Sequence, residues 1–259
     1  MRTLVITGGS SGIGLATAAL FHSKGWQVYE LSRHGQSRDG ITHIDCDVTD
    51  PESVRKAVCE VLALSPVIDV LISNAGYGIS GAVEFTAIDD AKRQMDVNFF
   101  GALNIVQAVL PTMRAQRAGR ILFTSSVAAV LPVPYQAFYS ASKAAINALA
   151  LALANEVREF NIRVGYLMPG DVATGFTAAR DKSERGAEVY QNISKAVTAM
   201  ERDEQNGMRP EQMAQLFYKM ATRRNPSPYY VGGLTYKVFC LLNRLLPTRF
   251  VNWIEGIMY

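Results

Sequence analysis

The chain is poor in the residues that build metal centres and disulfide frameworks. Its three cysteines, Cys46, Cys59 and Cys240, are odd in number and lack paired spacing, which argues against a disulfide scaffold or a zinc site and for a reducing compartment. The histidines, at 22, 34 and 43, show no ligand spacing, so no metal is expected. Charge of one sign is scarce as well. The 26 Lys and Arg against 23 Asp and Glu leave only +3, with no basic stripe beyond short pairs such as Arg223-Arg224, so nucleic-acid binding is not expected. No run of eighteen apolar residues occurs, and no transmembrane helix is predicted. MRTLVITGG passes straight into an apolar strand-like run, without the h-region or cleavage site of a secretory signal, so the expected location is cytoplasmic. Internal repeats, low-complexity tracts and dividing linkers are also missing.

What is present is an alternation. Nearly half the residues are hydrophobic, enough for one large core in a chain of 259. TLVIT (3–7) reads as a buried strand, and the run 13–24 as a helix ending at Gly25. Further strands are predicted at 26–32, 42–48, 67–76, 120–126 and 162–170. Helices are predicted from Asp50-Pro51-Glu52, over about 88–117, from Tyr139 to about 160, and over 210–222. Strands alternating with helices imply an α/β fold of the Rossmann type, a doubly wound parallel sheet in a single domain over 1–235. Ligands bind such sheets at the carboxyl ends of the strands. Residues 171–208 break the alternation. They are polar, irregularly helical and strand-free, and read either as a lid over the site or as a solvated helix pair.

Two motifs carry chemistry. Gly8-Gly9-Ser10-Ser11-Gly12-Ile13-Gly14 sits between the first strand and the first helix. There, backbone N–H groups and the helix dipole can receive a pyrophosphate. Tyr139 and Lys143 lie four apart in an alanine-rich helix, so the phenol and the ammonium share one face. A cation about 5 Å away at an effective dielectric near 20 contributes roughly 3 kcal/mol, about two pKa units, toward the range useful for proton transfer.

Thr7-Gly8-x3-Gly12-Ile13-Gly14, Asn74-Ala75-Gly76, Ser126, Tyr139-x3-Lys143 and Pro169-Gly170 occur in an order and spacing that resemble the short-chain dehydrogenase/reductase family, from residue 1 to about 235. The resemblance implies that Tyr139 exchanges a proton with the substrate oxygen. Lys143 would lower its pKa and hold the nicotinamide ribose, and Ser126 would hydrogen-bond the carbonyl oxygen. Ser125 is the weaker candidate, expected on the opposite side of the strand. Asn98 matches the family's fourth member, which bends its helix and holds a water leading to Lys143; alternatively it satisfies a helix carbonyl.

For the cofactor, the resemblance implies roles for Gly8, Ser10, Ser11, Gly12, Ile13 and Gly14 at the pyrophosphate. Asp47 and Val48, ending strand three, would flank the adenine, with Asn74, Ala75 and Gly76 by the adenosine ribose. Pro169, Gly170, Val172 and Thr174 would grip the nicotinamide end. Asp171 is read as a loop cap. An NAD enzyme places an acid at the end of strand two. Here Ser32 and then Arg33 stand there, which suits the 2′-phosphate of NADP(H) better than NAD(H). Glu30 is two positions early, and Arg38 either assists or is a solvated charge.

The tail after about 236 is read as a hydrophobic C-terminal extension. Leu241, Leu242, Leu245 and Leu246 share helical spacing, with Lys237, Arg244 and Arg249 beside the apolar positions. It packs over the cleft, against a second subunit, or on a membrane surface as a peripheral contact. This extension is similar to the branch holding 17β-hydroxysteroid dehydrogenases and acyl-dihydroxyacetone-phosphate or retinol reductases, which implies a steroid-like or lipidic substrate. Val133, Pro134, Tyr135, Phe138 and Phe176 are the expected apolar pocket. Small-residue faces around 98–115 and 142–158 resemble those through which the family forms homo-dimers and homo-tetramers. The expected function is NADP(H)-dependent reduction of a hydrophobic ketone or aldehyde, or the reverse alcohol oxidation. The alternatives are an NAD-dependent alcohol dehydrogenase of the same family and a non-catalytic NADP-binding sensor or scaffold.

Overall fold

The computed structural model describes residues 1–183 and 185–258. Its first element, β1 (Thr3–Thr7), is buried at every position, as a strand covered on both faces must be. The glycine turn opens α1 (Gly12–Ser23), and Gly25, at φ +79°, reverses the chain into β2 (Gln27–Ser32). After β3 (Ile41–Asp45), α2 (Pro51–Leu64) starts where Asp50 accepts a hydrogen bond from the Glu52 N–H and Pro51 fills the first turn. Next come β4 (Val70–Ser73) and the two-residue β5 (Ile79–Ser80).

The stretch predicted as one helix over 88–117 is three pieces: α3 (Ile88–Met95), a π-helical turn at Asp96–Phe100, and α4 (Gly101–Gln116). β6 (Gly119–Thr124), α5 (Ala137–Glu156) and β7 (Ile162–Met168) follow. The segment 171–208 is not free of strand: β8 (Asp181–Lys182) pairs in parallel with β5 before α6 (Ile193–Gln205). The chain then forms α7 (Pro210–Thr222), with Pro210 in its first turn, β9 (Tyr229–Val231), α8 (Leu234–Leu245) and α9 (Thr248–Met258).

Among the described residues, seven strands make one parallel sheet in the order β3-β2-β1-β4-β6-β7-β9. This is the predicted Rossmann-type arrangement. Successive strand residues face opposite sides. Val5, Tyr29, Leu71 and Ile121 therefore meet α2, α4 and α5, while Leu4, Ile6 and Val28 meet Phe21 of α1 and Phe217 of α7. Strand order reverses at β1, so a crevice opens at the carboxyl ends of β1 and β4.

The strands stop two or three residues earlier than predicted at that edge. β3 ends at Asp45, β4 at Ser73, β6 at Thr124 and β7 at Met168. Beyond these ends the chains diverge, with a few backbone bonds such as Ser125 N–H to the Leu167 carbonyl at 2.8 Å continuing between neighbours and other N–H groups taking side-chain acceptors. Asp47 N–H donates to Ser53 Oγ at 3.0 Å, Asn74 and Ala75 N–H to Thr7 Oγ1 at 3.0 and 3.1 Å, and Val127 N–H to the Pro169 carbonyl at 3.0 Å. Asp47 and Val48 thus lie in a loop and do not end strand three. Among the described residues one helix, α5, is long and apolar enough by length and composition to cross a membrane. It packs on β7 as a core helix, and its Ser, Lys and Asn residues interrupt the apolar run.

Candidate active site

Tyr139 and Lys143 stand one turn apart on α5, and the Lys143 Nζ lies 5.7 Å from the centre of the tyrosine ring. Lys143 is buried and donates to the Thr124 carbonyl at 2.9 Å. The lowered phenol pKa expected from this cation is not what the surroundings produce. Burial pushes Tyr139 up to about 12, against a hydrogen bond from Ser126, and burial also pulls Lys143 down to about 8. Desolvation acts on both groups, and for Tyr139 the charges of Glu204 and Asp171 add to it while Arg180 opposes it. The phenol therefore keeps its proton at neutral pH.

Ser126 is the residue before a short 3₁₀ turn, past the end of β6, and its Oγ accepts from the Ala128 N–H at 3.1 Å. Ser125 is held elsewhere, its buried hydroxyl donating to the Lys143 carbonyl at 3.2 Å. Asn98 lies in the π-helical turn. Its Nδ2 donates to the Tyr77 carbonyl and to Ser142 Oγ, both at 3.0 Å, and its Oδ1 accepts from the Tyr77 N–H at 3.0 Å. The extra backbone residue of a π turn is what swings Asn98 inward. A Cβ on Gly76 would stand 2.9 Å from Asn98 Oδ1 and 3.4 Å from Lys143 Nζ, so only glycine lets the β4 loop pass between them.

The glycine loop fits a dinucleotide on the same kind of evidence. Gly8 and Gly12 have φ of +64° and +52°, and a Cβ at Gly14 would lie 2.1 Å from the Gly8 carbonyl oxygen. The cradle exists only while those side chains are absent. Asn74 Nδ2 donates to the carbonyls of Thr7 and Gly8 at 3.2 and 3.1 Å, and Thr124 Oγ1 donates to Asn74 Oδ1 at 2.9 Å. Thr124 was not among the predicted residues. Its role depends on β4 and β6 being neighbours, which no local pattern announces.

A cavity of about 940 Å³ runs from Gly8, Ser11, Gly12 and Ile13 past Asn74, Ala75 and Gly76 to Ser126, Tyr139 and Lys143. Pro169, Gly170, Val172 and Thr174 form its other side. Ser10, Gly14, Ser32, Arg33, Asp47, Val48 and Asn98 do not line it. Ser10 offers its carbonyl to Arg38 at 3.0 Å, and the Ser32 hydroxyl turns to Glu30 at 3.0 Å. Arg33 is exposed beside Asp47, whose carboxyl is held low by hydrogen bonds from Thr49 and by Arg33, although burial works against it. The Val48 carbonyl accepts from Asn104 at 2.8 Å.

The substrate end carries Leu131, Val133, Phe176, Met200, Met208 and Phe239 on its walls, with the carboxylates of Asp171, Asp203, Glu204 and Glu255 also lining the cavity. Of the expected pocket, Val133 and Phe176 are there. Pro134, Tyr135 and Phe138 lie off it, and Tyr135 packs edge-on against Tyr190 instead. Phe176 stands 5.7 Å from the Tyr139 ring, with the Arg180 guanidinium 5.8 Å from Phe176 on its other side. Arg180 is fully buried and pairs with Glu204 of α6, which also accepts from Thr177 at 2.6 Å. Asp171 is more than a loop cap. Its carboxylate accepts from Tyr236 of α8, and its backbone pairs with Met208.

Comparison with known proteins agrees with this geometry. A family model described as short chain dehydrogenase matches residues 2–185. The chain is 38% identical to the 3-ketodihydrosphingosine reductase of Bacteroides thetaiotaomicron, over all of this chain and 98% of that one. It is 32% identical to the mouse dehydrogenase/reductase SDR family member 7B, over 77% of this chain and 71% of that one. Among solved structures, a short-chain dehydrogenase from Streptomyces avermitilis superposes with a TM-score of 0.84 at 28% identity, covering 94% of this chain and 92% of that one.

Proposed function

The chain belongs to the short-chain dehydrogenase/reductase family, an oxidoreductase family that uses a nicotinamide cofactor, and from there we propose that it is an NADPH-dependent reductase of lipidic ketones. The observation that carries this reading is one cavity that joins the glycine loop to Ser126, Tyr139 and Lys143 and continues past Leu131, Val133, Phe176, Met200 and Phe239. A bound nicotinamide supplies the hydride. Everything else falls to side chains of this chain. Ser126 donates to the carbonyl oxygen, and Tyr139 gives it the proton that completes the alcohol. The Lys143 ammonium then faces the phenolate left behind, and Asn98, beside Gly76, marks the way by which a proton returns to Lys143.

The relative named as a 3-ketodihydrosphingosine reductase supports a keto lipid, and the apolar walls suit one. NADPH is favoured by Arg33 and Arg38, both exposed near the glycine loop, and by the lack of an acid at position 32. Three free cysteines suit a reducing, cytoplasmic setting. The exposed Phe100 and Leu151, on the faces of the π turn and α5, suit a homo-dimer or homo-tetramer.

The test is the initial rate of NADPH and NADH oxidation against ketones and aldehydes of graded chain length. Faster NADPH oxidation with rates rising with chain length supports the reading. An NADH preference overturns the cofactor assignment. Tyr139→Phe is expected to bind cofactor normally and lose about 10²–10⁴-fold in turnover; unchanged turnover overturns the mechanism.

A further inference from the structure

The two C-terminal helices are amphipathic in an unusual sense, with their large apolar side chains turned outward. On α8, the inward stripe is Tyr236, Phe239, Cys240 and Asn243, at helical spacing. Tyr236 and Phe239 reach the cavity, Cys240 the core, and Asn243 the Val130 carbonyl at 2.8 Å. The opposite stripe, Leu234, Val238, Leu241 and Leu245, is exposed, Leu234 by 78% and Leu245 by 71%. On α9, Val251 and Glu255 turn inward, while Phe250, Trp253 and Ile257 face out, Trp253 by 61%. The exposed side chains of the two consecutive helices far exceed the scattered apolar residues that any surface carries.

Charge selects what covers this face. From Leu234 to Met258 the sequence holds three cations, Lys237, Arg244 and Arg249, all exposed. Its one acid, Glu255, is half-buried and points into the cavity. A second copy laid on this face would bring cations toward cations with no carboxylate to meet them. An anionic lipid surface meets both needs: headgroups for the basic flank, and the upper acyl region for the leucines and Trp253. The same helices wall the substrate cavity with their inner sides, so an apolar substrate would have only their thickness to cross.

We propose that α8 and α9 dock this protein on the surface of an anionic phospholipid membrane, apolar stripes down, with the cavity mouth beside the bilayer. The test is flotation of the full chain with vesicles of phosphatidylcholine alone and with vesicles containing a third phosphatidylglycerol, together with sedimentation to fix the oligomeric state. The expected result is binding to the anionic vesicles that weakens with salt. Leu241→Glu/Trp253→Glu should abolish it, while the rate on a short soluble ketone stays at the wild-type value. Lys237→Gln and Arg249→Gln should each weaken it about fivefold. Wild-type protein that stays with the soluble fraction overturns the proposal, as does a double variant that still floats. A double variant that dissociates a wild-type oligomer assigns the face to a second copy and overturns it too. Flotation needs no turnover, so failure of the reductase reading would leave this result standing on its own.

Discussion

Replacing Glu204 with leucine leaves the fully buried Arg180 guanidinium without its ion-pair partner, and only the longer-range charge of Asp171 remains to offset it. Two of its nitrogens, Nε and Nη1, already have no hydrogen-bond partner, so Glu204 is the main compensation the cation has. Breaking a buried pair from one side costs about 3–5 kcal/mol. Glu204 keeps 15% of its side chain exposed, which places the cost near the lower end, and the lost Thr177 bond adds about 1 kcal/mol. The segment need not hold together at that cost. β8 is a two-residue strand held to β5 by a short ladder, with Asp181 N–H donating to the Gly78 carbonyl at 3.0 Å and Ser183 N–H to the Ser80 carbonyl at 2.9 Å at its ends. Half-exposed ion pairs of Asp181 with Arg93 and of Lys182 with Glu201 add to it. Local opening is therefore cheaper than global unfolding. Amide exchange at Asp181 and Ser183 should accelerate by about a thousandfold, the equivalent of roughly 4 kcal/mol, while the melting temperature moves little. KM for a long-chain ketone should rise, because Phe176 loses the support that holds it on Tyr139. Arg180→Leu/Glu204→Leu should recover most of the protection. Exchange in Glu204→Leu within threefold of wild type would refute the argument, and so would a double variant as open as the single one.

Three further outcomes follow from the site. Gly14→Ala places a Cβ 2.1 Å from the Gly8 carbonyl and should cost about 1–3 kcal/mol, read by thermal melting, together with cofactor affinity, read by fluorescence titration. Ser32→Asp/Arg33→Ala should move the NADPH-to-NADH preference by about 10–100-fold toward NADH in kcat/KM, the worth of one charge-assisted contact. Lys143→Met should end turnover yet raise stability at pH 7. The Lys143 pKa is near 8 in the folded protein against 10.5 for an ordinary lysine, so the unfolded chain binds more protons between those values and wild-type stability rises with pH across them. The advantage of the methionine variant, on the order of 2 kcal/mol after the loss of the Thr124 contact, should shrink from pH 8 to 10.5 in chemical denaturation. An advantage that does not vary with pH would show that burial is not what shifts Lys143.

Local patterns made much of this legible. The buried TLVIT strand, the glycine turn after it, Pro51 and Pro210 in first helical turns, and the four-residue step from Tyr139 to Lys143 each report on a few neighbouring residues, and a parallel, doubly wound sheet follows from the alternation of strands and helices. What the sequence hid depends on distant pairs. Thr124 meets Asn74 only because β4 and β6 adjoin, and Arg180 finds Glu204 only because α6 folds back over the loop. The two-residue β5 and β8 are too short to show a period. The π turn looks like ordinary helix in sequence, since nothing in Asp96–Phe100 announces one extra residue. Counting a single cation beside Tyr139 also missed burial, which acts on every ionisable group in the cleft at once.

That last point ties the cover to the chemistry. Tyr139 is raised and Lys143 lowered mainly by desolvation, and the groups that keep water away include Phe176 and the inner faces of α6 and α8. The proton on Tyr139 is thus held partly by the side chains that cover it, Phe176 against its ring among them. Loosening the loop through Glu204 should bring the phenol back toward 10 and the ammonium toward 10.5, so the alkaline limit of the reductase reaction, set by loss of the Tyr139 proton, should move to lower pH. A site whose protonation follows its closure keeps its acid ready while substrate is enclosed, and an open cleft becomes a poorer proton donor at alkaline pH. The same side chains that exclude water from the cleft therefore set the pH range of proton transfer, and a variant that uncouples the two would separate binding from chemistry in this protein.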